Sequence, residues 1–141
     1  MKSSTGQGPT VLFVCNTNGG KSQLAAALLR QTAGDAVSVR SAGLVPARRI
    51  NGLAACVAEE SGADMRSEVP TALTEEALRA ADRVIIVGEA QVPELEGVTM
   101  ERWVPNEAPA GLGTDRERMA FLRDDLAARV ADLKHSLAPD S

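Results

Sequence analysis

The residues best suited to chemistry in this 141-residue chain stand in one short segment, residues 15–22. It reads Cys-Asn-Thr-Asn-Gly-Gly-Lys-Ser and follows a short apolar run. Small polar residues and paired glycines allow the backbone to turn its N–H groups toward one point, beside the positive end of a following helix. The segment therefore predicts a loop that binds a tetrahedral oxyanion. Its predicted anion-binding residues are Asn16, Thr17, Asn18, Gly19, Gly20, Lys21 and Ser22.

Cys15 stands at the base of this predicted loop and is the candidate nucleophile. The positive helix end and the charge of Lys21 would stabilise its thiolate form. Ser22 could donate a hydrogen bond to the sulfur when it attacks or leaves. Asn18 tolerates left-handed backbone, and its side chain could brace the loop. Cys15, Lys21 and Ser22 are accordingly predicted to act in catalysis.

Two other interpretations compete for the same segment. Gly20-Lys21-Ser22 is shared with the phosphate loops of nucleoside triphosphatases, but Cys15 stands where that motif requires a further glycine. No predicted strand ends in an obvious aspartate for Mg²⁺. Alternatively, the segment is a plain strand-to-helix turn in which Cys15 is buried and inert, since free cysteine is among the most buried residue types.

Composition excludes several classes of function. The chain has 15 Lys+Arg against 19 Asp+Glu, a net charge of −4, and three aromatic residues in all. Nucleic-acid binding needs clustered basic side chains and stacking aromatics, so we expect no such partner. Two cysteines and one histidine are too few for a zinc site, and no metal is expected. No apolar run approaches the roughly 18 residues of a membrane span, and the lack of an export signal predicts a cytoplasmic protein.

The elements that must position the loop follow from the apolar periodicity, which predicts an α/β domain with a mostly parallel sheet. Strands are predicted over 10–15, 36–40, 82–88 and 98–103, and helices over 21–31, 50–61, from 74 onward and over 114–137. We expect one domain, residues 10–138, behind a disordered tail, residues 1–9. Because ligands of such sheets bind beyond the carboxyl ends of the strands, the loop after the first strand is the expected site.

The run Val11-Leu-Phe-Val-Cys15, followed by Asn18 and Lys21-Ser22-Gln23-Leu24-Ala25, resembles the low-molecular-weight protein tyrosine phosphatase superfamily, which includes arsenate reductases. The resemblance continues through Ser41-Ala42-Gly43 and residues 73–78 and spans residues 10–133. It implies a four-stranded parallel sheet of strand order 2-1-3-4 flanked by helices. It also implies an oxyanion loop of the form Cys-x5-Arg-Ser, with Cys15 as the nucleophile.

Lys21 occupies the position of the family's loop arginine. With a lysine at this position, residues 18–23 resemble one branch of the superfamily, the arsenate–mycothiol transferases. That resemblance implies an arsenate reductase, part of arsenate detoxification, which couples arsenate to the small thiol mycothiol. A mycoredoxin would then reduce the product. Mycothiol would be a co-substrate rather than a tightly bound cofactor, and arsenate, or phosphate or sulfate, would occupy the loop.

The cysteine count favours an external thiol independently of this branch. A thioredoxin-dependent arsenate reductase needs two further cysteines to carry the disulfide from the active site to the surface. Residues 88–100, where these are expected, contain none. Cys56 is the other cysteine of the chain, and its apolar neighbours favour a packing role.

The family's general acid, an Asp-Pro pair on a mobile loop, is missing from residues 103–113. Glu107 is the nearest candidate to protonate a departing hydroxide or water, and the alternative is that Glu107 is simply solvated. Asp115 is a weaker candidate, better suited to the first turn of a helix. Trp103 is the one aromatic expected at the rim of the site. Two functions compete with arsenate reduction: a tyrosine or small-molecule phosphatase, and a non-catalytic oxyanion-binding protein.

Overall fold

Four parallel strands form one sheet in the part of the chain that the structure, a computed structural model, describes, residues 8–137. Residues 1–7 of the predicted tail and residue 138 at the predicted end of the domain lie outside the described residues. In chain order the elements are β1 Thr10–Cys15, α1 Lys21–Ala33, a short 3-10 turn Gly34–Ala36, β2 Ser38–Gly43, α2 Gly52–Glu60, α3 Glu75–Ala80, β3 Arg83–Val87, β4 Met100–Trp103 and α4 Asp115–Leu137.

The strand order is β2-β1-β3-β4, and every neighbouring pair is parallel. The predicted fold, a single α/β domain with a sheet of order 2-1-3-4, is thereby confirmed. Cys15 pairs with Gly43 of β2, while Val87 of β3 pairs with Trp103 of β4. The carboxyl ends of the strands therefore share one edge of the sheet, where the segment after Cys15 begins.

β1 is buried on both faces, as its continuous apolar run predicts. Val11 and Phe13 belong to a core cluster with residues of α1, α2 and α4, whereas Leu12 and Val14 pack in a second cluster on the α3 side. The ring of Phe13 contacts that of Trp103 at a centroid distance of 5.6 Å. Trp103 is only 6% exposed, so the expectation that it stands at the rim of the site is wrong: its ring fills the core under α4.

The second strand differs from its predicted bounds. The sequence predicts residues 36–40, with Ser41-Ala42-Gly43 ending the strand, but β2 runs over Ser38–Gly43. Pairing decides the difference, because Ser41, Ala42 and Gly43 stand in register with the last three residues of β1. Tertiary pairing here outweighs the low strand preference of small residues.

Local capping fixes where the later helices begin. Thr74, the predicted cap of α3, accepts from the N–H of Ala77, and Asn51 caps α2 in the same way. Thr114 and Glu117 form a reciprocal pair at the start of α4, each side chain accepting from the other's backbone N–H at 3.1 and 2.9 Å. Within residues 8–137, no helix is both long and apolar enough to cross a membrane.

A charged cluster joins the end of α2 to the first turns of α4. The carboxylate of Glu60 accepts hydrogen bonds from Arg116 and from Arg123, which also donates to the carbonyl of Val57 at 3.0 Å. The bond from Arg116, aided by the bond from Arg123 and opposed by desolvation, holds the pKa of Glu60 below its ordinary value. These interactions hold α4 against α2.

Candidate active site

Cys15 ends β1 at the carboxyl edge of the sheet, and it is 5% exposed. Its Sγ lies 3.0 Å from the Oγ of Ser22 and accepts from the N–H of Asn18 at 3.2 Å. Cys15 also lines the wall of a surface cavity. A cysteine whose sulfur is hydrogen-bonded by the loop and which lines a cavity is arranged for reaction rather than for filling the core, which argues against the inert-turn interpretation.

Asn18 holds the loop from behind. It is fully buried and has the left-handed backbone that its residue type tolerates, with φ of 54°. Its Oδ1 accepts from the backbone N–H of Thr71 at 2.8 Å and from Nε2 of Gln23 at 3.1 Å, while its Nδ2 donates to Ser22 Oγ at 2.8 Å. Asn18 and Ser22 therefore support Cys15 from beneath the loop rather than from the cavity.

The loop carbonyls are held by the segment that follows β2. Backbone N–H groups of residues 44–51 donate to four of them, in the pairs Leu44 to Cys15 at 3.2 Å, Val45 to Asn16 at 2.8 Å, Ala47 to Thr17 at 2.9 Å and Asn51 to Gly19 at 2.7 Å. In a trans peptide the next N–H points opposite to the carbonyl. The N–H groups of Asn16, Thr17 and Gly20 are thus turned away from this segment, and they have no acceptor within residues 8–137.

The positive end of the α1 helix dipole lies beside these free N–H groups. No side chain among residues 8–137 caps the helix, and its first turn holds no acidic residue. The helix dipole is therefore uncompensated where the loop ends, which favours an anion there.

Lys21, the first residue of α1, is exposed and leans toward the end of β3. A Cβ on Gly88 would lie 3.4 Å from its Nζ. Lys21 forms no ion pair with the described residues, and it lines both the Cys15 cavity and a neighbouring depression. Its single charge is available at the edge of the loop.

The cavity has a volume of about 490 Å³ and contains most of the predicted loop. The predicted residues that it brings together are Cys15, Asn16, Thr17, Gly19, Gly20 and Lys21. Ile50, Met119 and Leu122 form apolar walls, and Arg49 and Glu89 add charges of opposite sign. The site can hold a tetrahedral oxyanion against a sulfur and still leave space beside it.

Glu107, the predicted general acid, lies in the neighbouring depression rather than in the cavity wall. Lys21 and Glu89 line both spaces and stand between them. Asp115 occupies the first turn of α4, as expected for it.

The other chemically notable residues of the chain lie apart from this cavity. Cys56, on α2, is half-buried and accepts from Nη2 of Arg66 at 3.5 Å. His135 is exposed near the end of α4. No cluster of potential metal ligands occurs among residues 8–137.

A parallel α/β domain whose first strand delivers a cysteine into an anion-binding loop defines a class of cysteine-dependent oxyanion enzymes. Residues 10–132 match the family described as low molecular weight phosphotyrosine protein phosphatase, and this chain belongs to that family.

The similar proteins and solved structures include both arsenate reductases and a tyrosine phosphatase. The arsenate reductase of Bacillus licheniformis is 30% identical over 128 residues, which cover 86% of this chain and 91% of that protein. The structure of the thioredoxin-dependent arsenate reductase of Corynebacterium glutamicum superposes with a TM-score of 0.78 at 34% identity; the match covers 94% of this chain and 63% of that one. The tyrosine phosphatase of Erwinia amylovora shares the fold, with a TM-score of 0.77 at 20% identity over 98% of this chain and 99% of that one.

Proposed function

We propose that this chain is an arsenate reductase that couples arsenate to mycothiol, an arsenate–mycothiol transferase. The observation that carries the proposal is the Sγ of Cys15 at a cavity lined by free backbone N–H groups and the uncapped start of α1. These donors match the oxygens of a tetrahedral anion. Similarity to proteins named arsenate reductases supports arsenate as that anion.

The proposed reaction has two steps. In the first, the thiolate of Cys15 attacks arsenic, an As–O bond breaks and the departing oxygen leaves as water after protonation. The thiolate of mycothiol then attacks arsenic and displaces the Cys15 sulfur, so that the As–S bond of the arseno-mycothiol adduct forms as the bond to Cys15 breaks. Arsenic stays pentavalent in this adduct. A thiolate of mycoredoxin then attacks the sulfur of the adduct, and arsenite leaves with the electron pair of the As–S bond. The second product is a mixed disulfide between mycoredoxin and mycothiol.

The positions of the cysteines support a thiol from outside the chain. The protein has two cysteines, and Cys56 is not among the residues that line the Cys15 cavity. Cys56 instead contacts Arg66 on the outer side of α2. An internal disulfide relay from Cys15 to the surface therefore has no residues to carry it.

The volume of the cavity supports a second substrate. A tetrahedral oxyanion takes up about as much space as three water molecules, at about 30 Å³ each. Most of the 490 Å³ thus stays free beside a bound anion. Ile50, Met119 and Leu122 line the cavity, so the space left beside the anion is bounded partly by apolar side chains.

Mass spectrometry of arsenate and mycothiol, with and without the protein, tests the first step. We expect the arseno-mycothiol adduct only with the protein, and arsenite only when mycoredoxin is added. Thioredoxin with its reductase is the matched control, because the Corynebacterium glutamicum relative is named as thioredoxin-dependent. Arsenite formed with thioredoxin and without mycothiol would contradict the proposed co-substrate.

A phosphatase is the second candidate, favoured by the description of the family. Lys21 weighs against it, because a lysine lacks the flat fork with which arginine holds two oxygens of a phosphoryl group. The buried position of Trp103 also removes the expected aromatic wall. Brisk hydrolysis of an aryl phosphate, lost in Cys15→Ser, would favour the phosphatase. A non-catalytic protein would bind the anion and show neither activity.

A further inference from the structure

The backbone before and after Arg49 is hydrogen-bonded to the anion-binding loop. The N–H of Ala47 donates to Thr17, and that of Asn51 donates to Gly19 at 2.7 Å. A Cβ on Gly19 would lie 3.4 Å from the carbonyl oxygen of Arg49, so the two backbones are in close contact. Asn51 then caps α2, which fixes the chain beyond it. The Cα of Arg49 is therefore held at the rim of the loop.

The side chain of Arg49 is exposed and unpaired within residues 8–137. It forms no ion pair and no side-chain hydrogen bond with residues 8–137, while it lines the cavity of Cys15. Other arginines of this acidic chain do have carboxylate partners: Arg30, Arg66, Arg79, Arg83, Arg116, Arg123 and Arg129. An unpaired guanidinium at the mouth of an anion site is thus available to a ligand.

Arg49 and Lys21 stand on opposite sides of Cys15. Arg49 follows β2, and the ammonium of Lys21 lies beside Gly88, which follows β3. Because β1 lies between β2 and β3, an anion at the end of β1 lies between the two cations. Lys21 supplies a single point charge there, which leaves the oxygens on the β2 side without a charged donor.

We propose that Arg49 is the guanidinium that grips the oxyanion in this chain, and that it supplies from the β2 side the planar pair of donors which Lys21 lacks. Its ligand class is a tetrahedral dianion such as arsenate or phosphate, held by two N–H groups of Arg49 above the loop. The inference rests on the oxyanion site of the proposed function. It makes Arg49 a binding residue, and a determinant of affinity for the anion rather than for the thiol.

Protection of Cys15 from iodoacetamide, titrated with arsenate and separately with inorganic phosphate, measures this binding without turnover. The background is Cys56→Ala, so that Cys15 alone is alkylated. We expect Arg49→Gln to raise the dissociation constant about tenfold or more, as loss of a charged hydrogen-bonding group does. Arg49→Lys keeps the charge without the planar pair of donors, so its dissociation constant should lie between those of the parent and of Arg49→Gln. Thermal unfolding should not change, since the side chain forms no hydrogen bond or ion pair within residues 8–137.

Arg48→Gln is the matched control, because Arg48 is also exposed but lines only the adjoining depression. Its dissociation constant should stay within about twofold of the parent, as expected for a screened surface charge. In the Arg49→Gln protein, adding Lys21→Arg should restore binding, since the fork then comes from the loop itself. Equal affinities of the parent and Arg49→Gln, or equal losses in Arg48→Gln and Arg49→Gln, would overturn the inference alone. Failure of the parent to bind either anion would overturn the proposed function and the inference with it.

Discussion

Ser22 Oγ lies 3.0 Å from Cys15 Sγ across the turn between β1 and α1. The Nδ2 of Asn18 donates to the same oxygen, and the N–H of Thr71 fixes which end of the Asn18 amide faces it. Since the incoming bond occupies a lone pair of Ser22 Oγ, the hydroxyl proton is free to point at the sulfur. Ser22 is thus oriented to donate to the sulfur of Cys15 by an asparagine that lies beneath the loop.

Replacing Ser22 by alanine tests this orientation. We expect Ser22→Ala to slow the alkylation of Cys15 at neutral pH, and arsenate turnover, by about tenfold or more, because a hydrogen bond to a charged group is lost. The measurement is the rate of iodoacetamide labelling in a Cys56→Ala background. Ser136→Ala, a like change on α4 whose hydroxyl donates to the carbonyl of Leu133, is the control. Unchanged labelling in Ser22→Ala would contradict the role of the serine.

Asn18 combines a strained backbone with buried hydrogen bonds, and two substitutions separate these effects. Asn18→Ala loses the side-chain bonds and places an ordinary residue at positive φ, so we expect destabilisation of about 3 kcal/mol. Asn18→Gly loses the same bonds but tolerates the backbone, and should be more stable than Asn18→Ala by about 1 kcal/mol. Urea unfolding measures both. Equal stabilities would show that the left-handed backbone costs nothing here.

Gly43 is required by close approach rather than by its own backbone angles. A Cβ there would lie 2.7 Å from the backbone nitrogen of Asn18 and 2.8 Å from the carbonyl carbon of Thr17. Gly43→Ala should therefore push the loop outward, cost about 1–3 kcal/mol of stability and weaken anion binding. Gly52→Ala, at the start of α2 with open space around it, should leave both unchanged or slightly raise stability. Normal anion affinity in Gly43→Ala would contradict this account.

The ion cluster between α2 and α4 predicts a pH dependence of stability. The pKa of Glu60 lies below its ordinary value of 4.5, chiefly because of the hydrogen bond from Arg116. A lowered folded-state pKa means that the carboxylate contributes stability above 4.5, which is lost as pH falls through the lower value. The free energy of unfolding should therefore fall less between pH 7 and pH 3 in Glu60→Gln than in the parent. Parallel pH profiles of the two proteins would contradict the contribution of Glu60.

The loop could be predicted from sequence because its information is local. Cys15, Asn18 and Ser22 lie within eight residues, and each residue type has a preference that the structure uses: a thiol at a strand end, a left-handed asparagine, a hydroxyl at a helix start. The order of strands and helices followed from apolar periodicity in the same way. Trp103 was misplaced because periodicity does not show which face of a short edge strand a helix covers.

The walls of the site could not be predicted, because they come from distant parts of the chain. Glu89 follows β3, and Met119 and Leu122 belong to α4, more than a hundred residues after the nucleophile along the sequence. No local pattern marks Met119 or Leu122. A partial signal existed for Glu89, since it stands just beyond a strand that ends at the same edge of the sheet as β1.

Two carboxylates are candidates for the proton donor, and they differ in whether they share the space of Cys15. Glu89 lines that cavity, whereas Glu107 lines the neighbouring depression and would have to move with residues 105–113 to reach a bound anion. We therefore predict that Glu89→Gln lowers kcat for arsenate about a hundredfold, the usual contribution of a general acid, while KM changes little. Glu107→Gln, the same change on another exposed side chain, should keep kcat within about threefold of the parent. Steady-state kinetics with mycothiol in excess measures both variants. A larger loss of kcat in Glu107→Gln than in Glu89→Gln would assign proton transfer to Glu107, the residue that the sequence favours. It would also require residues 105–113 to close over the bound anion.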